Sequence, residues 1–391
     1  MSDNRKRPTF LLALACSLLS WGCTGPQPIP VRVFPIQFQV DEPALGTLEI
    51  RDPAGKVLRT VRKDMAIQAG DWSVEWDGRD DKGHTVPPGT YQAALVLKRI
   101  GLEPLATFGG VGSSPGRFLV PRGLSVHPQG ALLTVAVADT GNQQVQLLTE
   151  TGSPLQTIGQ FGVGDGRLNQ PTDVAWDGLI LTVCDSQNRR LARFDAQGSY
   201  LGEVRSMTGL FTQATGALTL DFRDPTNIAN LPGDAFWVSD PGYGTVDRIT
   251  STGGILDWWG DPGSLGQDGP LAATADGSLW LILGGNRILR LGMDGKALGE
   301  SPAPAKDRLA GLAASPEGFV MASAPEAGVI YLFDLEGGAF GSLELSGGTQ
   351  PTALSTWEDK LFLIDRAHTR VCGYKVTSKV LEVKKTVETG L

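Results

Sequence analysis

The chain has no surplus of basic residues and few histidines. Lysine and arginine total 34 against 42 acidic residues, which gives a formal net charge of −8, and non-specific nucleic-acid binding requires a basic surface. After the N-terminal segment there is no apolar run of about 18 residues, so no later transmembrane helix is expected. The 3 histidines leave little material for a zinc site.

What the chain does contain points to many turns joined by short apolar segments. It has 51 glycines and 25 prolines spread along 391 residues, and 41% of its residues are hydrophobic. This composition excludes an intrinsically disordered protein, and the length suits two domains.

The N-terminal segment fits a secretory signal. Arg5, Lys6 and Arg7 precede the apolar segment FLLALACSLL, which is too short to span a bilayer. The following SWGC and the proline-rich TGPQPIP resemble a bacterial lipoprotein signal. The resemblance implies removal of residues 1–22, lipidation of Cys23, a tether over 23–36 and a membrane-anchored protein facing the periplasm or the cell surface. The alternative is ordinary cleavage nearby and a secreted soluble product.

Residues 37–99 alternate apolar and polar positions between DG, KG and PG turns, which predicts a small antiparallel β-sandwich. The strand at 56–62 and the stretch WDGRDDKGHTVPPGTY (76–91) resemble the Ig-like domain of flagellar hook-capping proteins. The resemblance implies a spacer or adhesive module. We expect Trp76 in the core and a polar hairpin at DGRDDKG rather than a calcium loop, because Pro88 replaces the closing glutamate of an EF-hand.

The remainder, residues 100–391, repeats at intervals of roughly 40 to 55 residues. Each block has an inner apolar segment, a second strand, a polar turn, a third strand and a short fourth strand. Six blocks of this kind predict a six-bladed β-propeller and an all-β fold class. The first segments of the blocks start near residues 120, 170, 224, 268, 308 and 350.

The first two blocks carry a family resemblance. FGGVGSSPGRFLVPRGLSV and IGQFGVGDGRLNQPTDVAW, together with VADTGNQQVQLLTETG, resemble NHL repeats. Two segments compete to close the ring as the fourth strand of block six: EPLATFGG (103–110) and SKVLEV (378–383). We expect SKVLEV to close it. Cys184 and Cys372 fall in different, non-adjacent blocks, so we expect two buried free thiols rather than a disulfide.

Residues that repeat are assigned to architecture, and residues that vary are assigned to function. Asp139, Asp185, Asp240 and Asp365 end the second strands of four blocks, so we expect them to accept hydrogen bonds from the backbone of the turns. Varying polar side chains on the same face are the candidate ligand-binding residues: Arg122, Asn142, Asp173, Asn188, Arg189, Arg190, Asn227, Tyr243, Asn286, Arg287, Arg366, His368 and Arg370.

We expect a non-enzymatic, monomeric envelope lipoprotein whose propeller binds a protein, peptide or glycan, with no cofactor, no metal and no nucleic acid. The alternative is a metal-dependent lactonase- or lyase-like propeller enzyme. Asp173 and Asn227 suit a calcium lactonase, but no glutamate accompanies them at the start of an inner strand, and no serine-hydrolase motif is present.

Overall fold

The computed structural model describes residues 32–390 except 131, 178, 211–216, 232–234 and 261–268. The proposed signal segment and Cys23 therefore lie outside the described residues. The fold is all-β, as predicted, with three short 3-10 turns at Thr140–Asn142, Ser186–Asn188 and Pro304–Lys306. Within the described residues, no helix is long and apolar enough to cross a bilayer.

The N-terminal domain is a β-sandwich, as its alternating sequence predicts. Its strands are β1 (Phe34–Val40), β2 (Ala44–Arg51), β3 (Val57–Ile67), β4 (Gly70–Trp76) and β5 (Thr90–Gly109). β1 pairs with β4, and β2 lies between β3 and the first half of β5. Trp76 is buried, and the Asp80 carboxylate accepts the backbone N–H of Lys82 and His84, so the polar hairpin closes on itself.

The propeller consists of six four-stranded blades at the predicted places. Blade one contains β6 (Pro121–Gln129), β7 (Leu132–Asp139), β8 (Gln144–Thr149) and β9 (Pro154–Ile158), and blade two contains β10 (Pro171–Trp176), β11 (Ile180–Asp185), β12 (Arg190–Asp195) and β13 (Tyr200–Val204). Blade three contains β16 (Asn227–Leu231), β17 (Ala235–Asp240), β18 (Thr245–Thr250) and β19 (Ile255–Gly260), and blade four contains β20 (Leu271–Ala273), β21 (Leu279–Leu283), β22 (Arg287–Leu291) and β23 (Ala297–Pro302). Blade five contains β24 (Gly311–Ser315), β25 (Phe319–Ala324), β26 (Val329–Asp334) and β27 (Ala339–Glu344). Blade six contains β28 (Pro351–Trp357), β29 (Lys360–Asp365) and the first part of β30 (Arg370–Glu388).

The ring is closed by contacts between neighbouring inner strands. β6 contacts β10, and the contacts continue through β16, β20, β24 and β28 back to β6. Each blade buries apolar side chains against the next, for example Trp176 of blade two against Ala136 of blade one. A single blade cannot bury both of its faces, so the hydrophobic effect holds the ring together as a whole.

The expectation that SKVLEV closes the ring is wrong. Residues 103–109 of β5 pair with β30 over Arg370–Lys375 and form the fourth strand of blade six. Residues 376–388 of β30 instead continue along the first half of β5 and join the Ig-like sheet, where Val387 enters the core. The predicted propeller range of 100–391 therefore extends too far, because residues 376–388 belong to the Ig-like sheet. β5 and β30 form one two-stranded ribbon through both domains.

A hairpin that the sequence analysis missed lies between blades two and three. β14 (Ser206–Leu210) pairs with β15 (Ala217–Asp221) outside the ring. The interval between these two blocks is the longest in the repeat, and this excess length is the signal for an insertion.

The Ig-like domain packs against blades five and six. Leu45 shares a buried cluster with Phe319 and Leu354. The backbone N–H of Ala66 donates to Oδ2 of Asp334 at 2.6 Å, and Lys98 pairs with Glu317 at 3.2 Å.

These contacts also define the two faces of the ring. Glu317 and Asp334 lie in or beside the turns between strands one and two and between strands three and four. We call this side the lower face. The upper face carries the turns between strands two and three and the loops that lead into each inner strand.

Candidate ligand-binding face of the propeller

Four buried aspartates organise the upper face. Oδ1 of Asp139 accepts the N–H of Leu119 at 2.7 Å, and Oδ1 of Asp185 accepts the N–H of Asn169 at 2.6 Å. Both amides belong to the loop that leads into the first strand of the same blade. Each carboxylate therefore ties that loop to the end of the second strand.

Blades three and six repeat the arrangement. Asp240 accepts the N–H groups of Arg223 and Asp224, and Asp365 accepts the N–H of Gln350 at 3.0 Å. Charge-assisted hydrogen bonds of this kind satisfy a buried carboxylate. The four aspartates have a structural role in holding the loops.

The second carboxylate oxygen is bound by residues that the sequence analysis assigned to a ligand. Oδ2 of Asp139 accepts the amide of Asn142 at 2.7 Å, and Oδ2 of Asp185 accepts the amide of Asn188, also at 2.7 Å. Nδ2 of Asn142 also donates to the carbonyl of Gly112. Asn142 and Asn188 are thus components of the blade rather than free recognition groups.

Arg190 is the clearest correction. Its side chain is 1% exposed, and its Nε donates to Oδ2 of Asp185 at 2.7 Å. The same guanidinium pairs with Glu203 and donates to the carbonyls of Gly164 and Arg167. The assignment of Arg190 to a ligand-binding face is therefore wrong, because this side chain is buried and fully engaged.

His368 and Arg370 play the corresponding part in blade six. Nδ1 of His368 lies 2.6 Å from Oδ2 of Asp365, and Nε of Arg370 donates to the same oxygen at 2.8 Å. Burial acts to raise the pKa of Asp365, but the hydrogen bonds from Gln350, His368 and Arg370 outweigh it and lower that pKa. In blade two, burial prevails and raises the pKa of Asp185.

The remaining turn candidates differ in their surroundings. The Arg189 guanidinium is exposed and has no side-chain partner among the described residues. Arg287 is exposed and pairs with Glu300 at 3.0 Å, Asn286 is exposed, and Tyr243 lies beneath the guanidinium of Arg223 at 4.3 Å.

The inner strands surround a central cavity of about 1460 Å³. Four of the candidate residues from the sequence line it: Arg122, Asp173, Asn227 and Arg366. Arg308 also lines the upper mouth and was missed, because the block that contains it lacks the aspartate used to align the turns.

Asp173 is a half-buried carboxylate in this wall. Its Oδ2 accepts the N–H of Ile228 at 3.0 Å, and its Oδ1 accepts the N–H of Val174 at 2.9 Å. A Cβ at Gly123 would lie 2.1 Å from Oδ1, so the glycine permits this approach between blades one and two. Burial raises the pKa of Asp173 to about 7, against the lowering effect of the two backbone donors.

The cavity mouth on the upper face is rich in arginine. Arg122 and Arg308 are exposed and form no hydrogen bond or ion pair with another described side chain. Arg366 is neutralised by Glu326 at 2.5 Å. Arginine presents several donors in a planar fork that suits carboxylate and other oxyanions.

No metal centre is found among the residues that the structure describes. They contain no group of three or more histidine, cysteine, aspartate or glutamate side chains arranged to hold an ion. Nδ2 of Asn227 donates to Thr226 and Ser239, and both carboxylate oxygens of Asp173 accept backbone N–H groups. Cys184 and Cys372 are free and buried, as predicted.

Comparisons with known proteins support the fold. Residues 32–99 match the FlgD Ig-like domain. No curated protein matches the chain.

Many solved structures match the propeller at low identity. A virginiamycin B lyase from Staphylococcus aureus is 12% identical, with a TM-score of 0.50 over 71% of this chain and 100% of its own. A Bacteroides thetaiotaomicron protein of unknown function is 11% identical, with a TM-score of 0.51 over 90% of this chain and 99% of its own.

The PQQ-bound aldose sugar dehydrogenase of Streptomyces coelicolor is 13% identical, with a TM-score of 0.50 over 71% of this chain and 99% of its own. Similarity at this level shows the fold alone, because propellers with different activities share it.

Proposed function

We propose that this protein is a non-enzymatic lipoprotein of the cell envelope whose NHL-type propeller binds a protein, peptide or glycan at its upper face. One observation carries the proposal: the open cavity mouth lies on the side of the ring opposite to the docked Ig-like domain, and there the guanidinium groups of Arg122 and Arg308 have no partner among the described side chains. In a chain anchored at Cys23, the Ig-like domain follows the tether and would act as the spacer before the propeller.

The donor groups of the face favour binding over metal-assisted catalysis. The repeated aspartates are occupied by hydrogen bonds within their blades, and Asp173 is bound to two backbone amides. A lactonase- or lyase-like site needs several oxygen or nitrogen ligands that converge on one point. The described residues hold no such group, so the binding role fits the geometry better.

The proposal is tested by affinity capture from envelope extract with the Arg122→Ala/Arg189→Ala variant. Both side chains are exposed, so their loss leaves the fold intact. We expect the variant to lose at least one partner that the unaltered protein retains. A Lys63→Ala/Lys296→Ala variant, which also removes two exposed cations but away from the upper face, serves as the control. Identical partner sets for all three proteins would contradict the proposed function.

The anchor is tested separately by fractionation of cells that express Cys23→Ser. We expect the unaltered protein in the membrane fraction and the variant in the soluble fraction, because each buried methylene of an acyl chain contributes about 0.8 kcal/mol to membrane binding. An unchanged distribution would contradict lipidation and leave the binding proposal in place.

A further inference from the structure

We propose that two loops on the upper face form a docking surface for an acidic peptide segment with apolar side chains. Loop L1 comprises residues 110–120 and leads into blade one, and loop L2 comprises residues 160–170 and leads into blade two. The inference names the class of partner for the upper face and so rests on the proposed function.

Both loops are held rigidly by the blades. In L1, the N–H of Gly112 donates to the carbonyl of Phe118 at 2.9 Å, and the Phe118 side chain is buried. In L2, the N–H of Gly162 donates to the carbonyl of Leu168 at 3.1 Å, and the Leu168 side chain is buried. The amides of Asn142 and Asn188 donate to the carbonyls of Gly112 and Gly162 respectively. Groups on an ordered loop lose little entropy when they bind a partner.

The loops expose large apolar side chains that the packing of the blades does not use. Val111 and Phe161, which occupy the same position in the two loops, are 70% and 66% exposed, and Val163 is 72% exposed. Leu119 and Val120 continue this surface to the cavity mouth. Exposed apolar side chains gathered on one face mark interaction sites.

Among the four blades whose leading loops the structure describes throughout, only blades one and two show this exposure. The loops that lead into blades five and six, at 303–310 and 345–350, expose no large apolar side chain. The corresponding loops of blades three and four lie partly outside the described residues. A feature needed to fold every blade would recur in blades five and six. We infer that the apolar surface on L1 and L2 serves binding rather than folding.

Val120, at the end of this surface that meets the cavity mouth, has a strained backbone conformation. Its φ is 51°, in the left-handed region that a β-branched residue rarely adopts. L2 has Gln170 at the same position with a φ of 53°. Strain of this kind concentrates at functional sites, and valine at an exposed strained position points to recognition by the side chain.

The charge of the surface selects an acidic partner. L1, L2 and the adjoining turns carry four exposed arginines against one exposed acid, Asp165, although the whole chain has a net charge of −8. The four are Arg117, Arg122, Arg167 and Arg189. Arg117 donates one N–H to the carbonyl of Gly109 at 2.9 Å, and Arg167 donates one to the carbonyl of Phe161 at 3.1 Å. Both side chains are exposed, so the other donors of their guanidinium groups remain available.

Carboxylates of a peptide would pair with these guanidinium groups, and the apolar side chains of the peptide would cover Val111, Phe161 and Val163. A nucleic acid offers no comparable aliphatic group to cover them.

The test is a selection of random 12-residue peptides displayed on phage against the full mature protein. We expect the selected peptides to be enriched in Asp and Glu together with Leu, Ile or Phe. One selected peptide is then measured by fluorescence anisotropy. Phe161→Ser and Arg189→Gln are each expected to weaken its binding about tenfold, because few residues carry most of an interface's free energy. Leu298→Ser, an exposed leucine on the outer edge of blade four, is the matched control and leaves binding unchanged.

Val120→Gln separates recognition from folding, because it copies the residue that L2 tolerates at the same φ. We expect weaker peptide binding with an unchanged Tm. Selection of basic or neutral peptides, indifference to Phe161→Ser and Arg189→Gln, or binding of a 12-nucleotide oligouridine in place of acidic peptides would overturn the inference. If the Arg122→Ala/Arg189→Ala variant nevertheless loses its envelope partner, the proposed function stands and only the class of partner is wrong.

Discussion

Adjacent arginines in blade two have opposite environments. Arg189 is exposed with a φ of 54°, and Arg190 is buried against Asp185. In sequence the two are equivalent, because both belong to a variable polar turn. The antiparallel register places Arg190 opposite Asp185, as it places Gln144 opposite Asp139 and Arg370 opposite Asp365. The residue five positions after each aspartate is therefore its cross-strand neighbour, and this spacing in the sequence indicates that the two side chains interact.

We expect Arg190→Ala to lower the free energy of unfolding by about 3 kcal/mol, because it leaves the buried Asp185 carboxylate without its cation. The adjacent Arg189→Ala is the control and should change it by less than about 0.5 kcal/mol. Urea denaturation followed by tryptophan fluorescence measures both. Equal effects would show that Arg190 is not the buried partner of Asp185.

Asp173 should make the protein less stable as the pH rises. Its folded-state pKa of about 7 lies above the ordinary aspartate value of 3.8, so the folded state binds a proton more tightly than the unfolded chain. This stabilising contribution is complete below about pH 4 and is lost as the pH rises through about 7.

We therefore expect the Tm of the unaltered protein to fall more between pH 5 and pH 8 than the Tm of Asp173→Asn. Burial also raises the pKa of Asp247 to about 7, so part of the decline should remain in the variant. Thermal scans at four pH values measure the difference. Parallel curves for the two proteins would contradict the shifted pKa.

At the level of strands, the repeat predicted every blade but not the path of the chain between domains. Alternating apolar segments identify strands because their side chains point to opposite faces with a period of two. They do not specify a partner, so β5 and β30 could each be read as ending at a domain boundary. The ribbon instead extends from Thr90↔Glu388 to Gly109↔Arg370.

The ribbon predicts that the C-terminal residues stabilise the N-terminal domain. Deletion of residues 376–391 removes the strand that pairs with residues 90–102 of β5 and takes Val387 from the core. The Ig-like sheet then gains an unpaired edge and loses buried apolar area. We expect rapid proteolytic cleavage within residues 37–99. Deletion of 390–391 alone is the control, and equal resistance of both truncated proteins would contradict this role.

Loops L1 and L2 of the proposed docking surface could not be identified from the sequence. Gly109, Gly112 and Gly116 repeat as Gly159, Gly162 and Gly166, so the whole segment was assigned to architecture. The glycines do shape both loops, with positive φ at each of these six positions. Between them, however, Val111 and Phe161 face solvent, and solvent exposure within a repeated loop depends on tertiary packing that spacing does not encode.

For the whole molecule, we expect that removal of metal ions does not change the stability of the folded state. The described residues contain no converging set of ligands, and a bound ligand would raise the stability of the folded state. We expect no stoichiometric calcium or zinc in the purified protein and the same Tm with and without chelator. A stoichiometric ion whose removal lowers the Tm would favour the lactonase- or lyase-like alternative.

The central claim is that the upper face binds a partner in the envelope. Photo-crosslinking in living cells tests it most directly, with the crosslinking amino acid placed at position 189 on the upper face or at position 298 on the outer edge of blade four, both of which are exposed. We predict a discrete adduct of defined mass from position 189 and none from position 298. Adducts from position 298 alone, or from neither position, would contradict the claim.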